Sequence, residues 1–135
     1  MKVHLDSKLA TISINEEKKT AFLYWKPFKN TEEYKHVLEK GLEAIETYQI
    51  ENWIPDISEA KLVSPEDRKW AEEVFIPEAL RLGIKRIAFV LPDEDVFKKH
   101  YANKLRESVA GKEVIFETFG SLRDAERWVT RQVFL

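Results

Sequence analysis

The residues best suited to chemistry or recognition are polar side chains that follow an apolar run in the middle of the chain. Asp56 and Ser58 lie at the end of residues 52–58, and Ser64 directly precedes a helical pattern. In sheets with parallel strands, ligands and partners bind at the carboxyl ends of the strands. We therefore predict a partner or ligand site at Asp56, Ser58 and Ser64. A purely structural role is the favoured alternative, because Asp and Ser in loops commonly hydrogen-bond their own backbone.

Carboxylates elsewhere give little support for catalysis. Five carboxylates are candidates to lie near one another above the sheet: Glu66, Asp67, Asp93, Glu94 and Asp95. Acid–base catalysis would require their pKa values to be pushed apart in a cleft, whereas carboxylates at helix starts are expected anyway because they favour the helix dipole. The sequence has no glycine-rich phosphate loop and no nucleophile elbow. We therefore predict no catalytic residue, and an enzyme would have to use carboxylates near Asp56.

Metal and cofactor sites have equally little support. His4, His36 and His100 show no paired ligand spacing, so a metal site would need them to converge with carboxylates in the fold. The chain has no cysteine, which excludes disulfides, thiolate metal sites and thiol nucleophiles. We therefore expect no metal and no cofactor.

The aromatic residues offer a second candidate surface. Trp53, Trp70 and Trp128 fit positions in or near the core. Trp25 ends a predicted strand and, with Phe28, is a candidate for a partly exposed cluster that anchors a partner or lines an apolar ligand pocket. Burial of these aromatic residues in the core is the favoured alternative.

Composition limits the class of protein. A chain of 135 residues fits one domain over residues 1–135. Its 22 basic and 24 acidic side chains give a formal charge of −2, which argues against nucleic-acid binding. No apolar run approaches the roughly 20 residues of a membrane span, and the first residues lack the apolar core of a signal peptide. We expect a cytoplasmic protein with no nucleic-acid partner and no membrane span.

The central part of the chain predicts a strand–helix–strand unit. Ser64 is placed to cap a helix with Pro65 in its first position, where the missing amide hydrogen costs nothing. Pro77 interrupts the apolar face, which predicts a kink or a break into two helices with Pro77 opening the second. Gly83 ends the helix. Residues 84–91 are mostly apolar, which is typical of a parallel strand buried on both faces.

Short strands and one helix are predicted before this unit. The strands cover residues 3–5, 9–14 and 20–25, and residues 9–25 form an antiparallel hairpin. A helix capped by Asn30 or Thr31 follows. Gly41 lies on its apolar face, which predicts close packing against the sheet, because glycine within a helix otherwise costs about 1 kcal/mol.

A helix, a strand and a second helix are predicted after the unit. The buried face of the first helix is expected to consist of Val96, Phe97, Tyr101, Leu105 and Val109, with Gly111 ending the helix. A strand over residues 113–119 follows, and Ser121 with Asp124 caps the last helix. The predicted fold class is α/β, with a mixed sheet (N-terminal antiparallel hairpin and parallel central strands) covered by about four helices.

The order of these elements resembles that of small bacterial STAS-like proteins. The resemblance covers nearly the whole chain and rests also on five stretches, residues 25–28, 53–58, 64–70, 83–91 and 119–128. STAS domains are the fold of sporulation anti-sigma-factor antagonists and are related in shape to CRAL-TRIO lipid-binding domains. The resemblance implies a STAS-like fold.

The resemblance also raises the question of a phosphorylated serine. Anti-sigma-factor antagonists carry that serine in an Asp-Ser-Ser-Gly turn at the start of the helix after the central strand. The matching turn here runs from Ser64 to Asp67, so the switch position falls on Pro65 or Glu66 and the glycine is absent. A phospho-serine switch is therefore not expected, and helix capping explains Ser64.

Three functions follow as hypotheses. The first is a non-catalytic protein–protein interaction or regulatory module, with a homodimer as one possibility. The second is a carrier of a small apolar ligand or lipid, which a continuous cavity between helices and sheet would favour and a filled core would oppose. The third is an enzyme, which would need a polar cleft holding Asp56.

Overall fold

Six strands in sequential order form one mixed sheet. The computed structural model of the chain describes residues 1–61 and 63–133. The strands are β1 (Lys2–Asp6), β2 (Ala10–Asn15), β3 (Thr20–Trp25), β4 (Asn52–Asp56), β5 (Arg86–Val90) and β6 (Ile115–Phe119). The sheet order is β1-β2-β3-β4-β5-β6. The first three strands pair antiparallel, and β3 to β6 pair parallel, as the sequence predicts.

Four helical segments cover the sheet. They are α1 (Thr31–Tyr48), a continuous segment of α2 (Pro65–Trp70), a π-helical turn (Ala71–Phe75) and α3 (Ile76–Arg81), then α4 (Val96–Ser108) and α5 (Leu122–Val133). Each parallel strand lies one step further along the sheet than the last. Right-handed crossovers therefore place all the connecting helices on one face. The core on that face includes residues of α1, α3 and α4, and α5 alone packs on the other face, over β4, β5 and β6.

Strand β5 is buried on both faces, as its apolar run predicts. Ile87 and Phe89 belong to the larger core under α1 to α4, and Ala88 and Val90 belong to the smaller core under α5. The expected close packing at Gly41 is also confirmed. A Cβ atom there would lie 2.7 Å from Cη2 of the Trp53 ring, so any side chain would push the helix away from the sheet.

The predicted division of the helix at Pro77 is confirmed, because α3 begins at Ile76 and has Pro77 in its first turn. The chain stays helical from Pro65 to Arg81, and a π-helical turn that was not predicted joins α2 to α3. The Ile76 N–H donates to the Ala71 carbonyl five residues earlier. Proline clashes with the carbonyl four residues before it in a regular α-helix, and one extra residue in the preceding turn changes that spacing. Gly83 follows with a positive φ of 119°, as expected for the residue that ends the segment.

The start of α4 requires a correction. Val96 and Phe97 were expected on the buried face, but their exposed fractions are 72% and 70%. The buried face begins at Tyr101 and continues through Leu105 and Val109. Phe97 lies one turn before Tyr101, so its spacing is right for the face. Periodicity gives the direction of a side chain around the helix but not where the core ends along the axis.

Candidate functional site

The candidate site lies where β4 and β5 end and α4 begins. We call it the strand-end surface and define it by Ser58, Val96 and Phe97. Asp56 lies at the same strand end, but its side chain points to the other face of the sheet. Lys98 joins the two parts of the surface, because its ammonium group in the first turn of α4 donates a hydrogen bond of 2.7 Å to the Ser58 carbonyl. This hydrogen bond holds the loop after β4 against the start of α4, a contact that the sequence did not predict.

Local hydrogen bonds fix the loop after β4. Oδ1 of Asp56 accepts from the Ser58 N–H at 3.0 Å, and the Ile57 N–H donates to the Val90 carbonyl of β5 at 2.9 Å. Asp56 therefore makes the hydrogen bond to its own loop backbone that is expected if the residue has a purely structural role. Its side chain also lines a groove beside α5, on the other side of the sheet from α4. A binding role for Asp56 and Ser58 stays a prediction.

Ser64 lies at the far end of the same loop and caps α2. Its Oγ accepts from the Asp67 N–H at 3.1 Å, and Pro65 occupies the first turn. This geometry satisfies one of the amide hydrogens that have no partner within the helix. The predicted cap is confirmed, and the contact accounts for serine at this position.

The exposed apolar pair at the start of α4 is held by a similar cap. Oδ1 of Asp95 accepts from the Lys98 N–H at 3.0 Å, which fixes the turn that carries Val96 and Phe97. The side chain of Lys98 is only 14% exposed and lies 3.8 Å from Asp95 Oδ2. Sequence reasoning missed this pair as surface residues. Their position directly after the acidic cap, in the first helical turn, was the available signal.

Trp25 and Phe28 are not on the surface. Their exposed fractions are 4% and 7%, which corrects the expectation of partial exposure and confirms the core alternative. The Trp25 and Tyr34 rings stack with centroids 5.3 Å apart, and the Phe28 ring lies 5.4 Å from Tyr34. The first turns of α1 fold back over the end of β3, so Tyr34 covers both residues. The side chains are thus used for packing and are not available to anchor a partner.

A pair of tyrosine hydroxyl groups lies beneath the strand-end surface. The Tyr34 and Tyr101 oxygens are 3.0 Å apart and join α1 to α4. Burial raises the pKa of Tyr101 to about 12. Burial and the neighbouring Tyr101 hydroxyl also raise the pKa of Tyr34 well above its usual value. Both phenols stay protonated at neutral pH, so the pair serves as a structural hydrogen bond and not as a base.

The space between helices and sheet is small. A cavity of about 30 Å³ is lined by aliphatic side chains and by aromatic rings, which include Trp25, Tyr34, Trp53, Phe89 and Tyr101. That volume has room for about one or two water molecules. Pockets for small ligands measure roughly 300–1,000 Å³. The core therefore resembles the filled arrangement that opposes the carrier hypothesis.

Asp67, one of the five carboxylates considered from the sequence, is a second polar group near this core. It is 4% exposed, and its Oδ1 accepts no hydrogen bond from the described residues. It lies close enough to both phenols to raise their pKa values. The sequence predicted the position of Asp67 at a helix start but not its burial, because helical spacing does not show which first-turn residue faces inward.

Other candidates do not assemble. Within residues 1–61 and 63–133, no three His, Asp or Glu side chains lie where they could hold a metal ion together. The carboxylates expected above the sheet therefore form no three-ligand cluster. Over the same residues, no helix has the length and apolar character needed to cross a bilayer.

Comparisons with known proteins identify the fold. No family model and no curated protein matches the sequence. A solved structure does match: an uncharacterized protein of the DUF3478 family from Shewanella loihica PV-4, described as having a SpoIIAA-like fold. The TM-score is 0.55 at 19% sequence identity, over 93% of this chain and 98% of the other. An identity this low shows the fold alone. This chain therefore has a SpoIIAA-like fold, as the resemblance to STAS-like proteins implied.

Proposed function

We propose that this chain is a non-catalytic protein–protein interaction module whose partner binds at the strand-end surface. The observation that carries the proposal is the exposure of Val96 and Phe97, at 72% and 70%, side by side in one helical turn. Aromatic residues are enriched among the residues that dominate binding energy at protein interfaces. Adjacent exposed apolar side chains with a polar surround are typical of such interfaces.

The surroundings of the pair support this function. The Lys98 bond to the Ser58 carbonyl and the Asp95 cap fix the turn before any partner arrives. A surface that is already ordered loses less conformational entropy on binding. Polar groups around the apolar pair supply the rim that interfaces commonly have. A second copy of the chain is one partner that this surface would accept, and the homodimer stays a prediction.

Regulation by phosphorylation at the start of α2 is not part of the proposal. Ser64 Oγ is engaged with the Asp67 N–H, and Pro65 and Glu66 occupy the next two positions. Neither residue has a hydroxyl group that a kinase could phosphorylate. The module would therefore bind its partner constitutively, or be regulated elsewhere.

The carrier and enzyme hypotheses have weaker support. A ligand of ordinary size would require the aromatic rings around the cavity of about 30 Å³ to separate. Tyr34 and Tyr101 are held protonated by burial, which raises their pKa values, and Asp67 is shielded from solvent. The interaction module needs none of these groups to move.

Site-specific photo-crosslinking tests the proposal. A benzophenone amino acid is placed at Phe97 in one variant and at Ile115 in another, and each variant is irradiated in cells of its native host. Ile115 is the matched control, because it is 48% exposed and lies on the edge strand β6. We expect a discrete adduct with a protein at position 97 and none at 115. Equal labelling at both positions, or none at 97, would contradict the proposal.

A second variant checks specificity. The crosslinker is moved to His100, which is exposed on the same helix, and Phe97→Ser is added. The adduct at position 100 should disappear in this variant if Phe97 anchors the partner. An unchanged adduct would show that contact at α4 does not depend on the apolar pair.

A further inference from the structure

In the part of the chain that the structure describes, no helix lies over half of one face of the sheet. Helix α5 packs on β4, β5 and β6, so the same face of β1, β2 and β3 is left open. In β2 and β3 the open face consists of Thr11 and Ser13, paired in register with Tyr24 and Phe22. Val3 of β1 continues the row beside Ser13. Val3 is 63% exposed and Tyr24 39%, so apolar surface on this face faces solvent.

A groove follows the boundary between the open strands and α5. Near the start of α5 it has a volume of about 210 Å³, and its lining is mostly apolar. Its floor includes Phe22, Tyr24 and Ile54, and its wall includes Leu122 and Glu126 of α5. This part of the groove can accept apolar side chains.

Basic residues extend along α5 beside the groove, from its first turn to its last. A wider concavity of about 660 Å³ is lined by Lys18 from the β2–β3 turn and by Arg123, Arg127 and Arg131 of α5. The three arginines are spaced four residues apart, so they lie along one side of the helix. Among the described residues, none of the ion pairs involves these arginines. Glu126 is the one acidic residue in the lining.

We propose that this groove, which we call the α5 groove, binds an amphipathic α-helix of a partner protein. The apolar side of that helix would pack on Phe22, Tyr24 and Leu122. Its acidic side would face the arginines of α5. Docking of an amphipathic helix into an apolar groove is a recurring mode of protein recognition, and charge complementarity sets the orientation of the bound helix.

The width of the open face fits this occupant. Strands in a sheet lie about 4.8 Å apart, so β1 to β3 form a shelf about 10 Å wide. A helix with its side chains is about 10–12 Å across. One helix beside α5 would therefore cover the open strands β1 to β3, so that helices would cover both faces of the sheet.

Two other occupants fit less well. A bilayer surface is flat, whereas the arginines line a concavity that also contains Glu126. A second copy of this chain would have to supply an acidic amphipathic helix. Helix α1 carries Glu39, Glu43 and Glu46 on its exposed side, but its apolar side is buried in its own core. A helix of a partner protein is therefore the occupant that this groove fits best.

A peptide selection tests the proposal without knowledge of the partner. The probe is a displayed library of 20-residue helical peptides with leucine at positions i, i+3, i+4 and i+7. The flanking positions are randomised among Glu, Lys, Gln and Ala. We expect selection on the intact protein to enrich glutamate along one flank. Enrichment without a glutamate bias, or no enrichment, would overturn the proposal.

Matched variants locate the binding. Arg127→Glu should lower the binding affinity of the selected peptide by about tenfold or more, because it places a glutamate of the protein next to the glutamates of the peptide. Lys69→Glu changes the net charge equally but lies on α2, which packs against α1, away from α5. It should leave the affinity within about twofold. Equal losses in both variants would show that only net charge matters and would overturn the proposal.

Two further measurements distinguish a partner helix from a membrane surface and from a second copy of the chain. Amide chemical shifts on peptide binding should change at Thr11, Ser13 and Glu126, and not at Phe97, so that this result is independent of the proposed function. Anionic phosphatidylserine vesicles should not displace the peptide. Displacement by vesicles, or a dimer of the chain that Arg127→Glu dissociates, would assign the groove to a membrane or to a second copy and overturn the proposal.

Discussion

The two ends of the parallel strands differ in how they use their polar groups. At the amino ends, Asn52 is fully buried. Its amide nitrogen donates to the Lys18 carbonyl at 3.1 Å and to Thr20 Oγ1 at 3.3 Å. Its Oδ1 accepts from the Arg86 guanidinium at 2.9 Å. One side chain thus joins three strands, and nearly all of its hydrogen-bonding capacity is used within the fold.

The carboxyl ends carry a different arrangement. Local caps at Ser64 and Asp95 satisfy the helix starts, but Val96 and Phe97 face solvent and the Asp67 Oδ1 has no partner among the described residues. Polar groups that are fully paired inside the fold stabilise it and are unavailable to a partner. The comparison therefore assigns a stabilising role to the amino end, and it leaves exposed side chains at the carboxyl end for the partner that we propose.

The largest expected effect comes from breaking the amino end. Asn52→Ala removes four hydrogen bonds and leaves the Arg86 guanidinium without its partner on β4. We expect a loss of about 3 kcal/mol in the free energy of unfolding, measured by urea denaturation. Asp56→Ala, at the other end of the same strand, is the matched control and should cost about 1 kcal/mol. Equal losses would remove the distinction between the two ends.

Alkaline pH is expected to weaken the fold beneath the strand-end surface. The pKa of Tyr101 is raised from 10.0 to about 12, and that of Tyr34 is also raised. Above pH 10 the unfolded chain loses phenolic protons that the folded chain keeps, so stability falls as the pH rises. The slope should reach about 1.4 kcal/mol per pH unit for each tyrosine.

Denaturation at several pH values between 9 and 12 measures this slope. Tyr101→Phe should reduce the slope of stability against pH by the contribution of one tyrosine. Tyr24 is exposed on β3, so Tyr24→Phe is the matched control and should leave the slope unchanged. A wild-type protein whose stability stays flat above pH 10 would show that the phenols ionise in the folded state.

A smaller effect is expected at the cap of α2. Ser64→Ala removes the hydrogen bond to the Asp67 N–H and should lower stability by about 1 kcal/mol, measured by thermal melting. Ser64→Asp keeps an oxygen that can accept this bond and should melt close to wild type. If Ser64→Ala melted like wild type but lost a binding partner, the serine would have a signalling role and the capping account would be wrong.

The smallest stability change is expected at the proposed interface itself. Phe97→Ser alters a side chain that is 70% exposed, so its free energy of unfolding should stay within about 0.5 kcal/mol of wild type. Partner binding should nevertheless be lost. A large loss of stability would show that Phe97 belongs to the core, as the helical pattern alone suggests.

Local rules predict most of the fold. Helix caps, glycine stops and strand alternation locate Ser64, Gly83 and β3 because each depends on neighbouring residues. The close approach at Gly41 was also predictable, because glycine on the apolar face of a helix is costly unless a neighbouring group lies too close for a side chain. The role of Asn52 was not predictable, because its partners Lys18 and Arg86 are each 34 residues away in the sequence.

The candidate site was predicted only in part. The loop after β4 followed from the chemistry of strand ends, and its residues lie where expected. Its connection to α4 depends on the Lys98 contact with Ser58, 40 residues apart. The exposure of Phe97 and the burial of Trp25 depend on where neighbouring helices begin over the sheet. Both depend on how the helices pack on the sheet, so the hydrophobic pattern of a single segment cannot predict them.

Native mass spectrometry of gently purified protein tests the central claim most directly. Wild type and Phe97→Ser are compared under native and denaturing conditions. For the wild type, the interaction module predicts a complex with a protein of discrete mass, or with a second copy of the chain. The same preparation of Phe97→Ser should contain the chain alone. A bound mass of a few hundred daltons that survives Phe97→Ser and is released on denaturation would contradict this account, because the protein would then carry a small ligand.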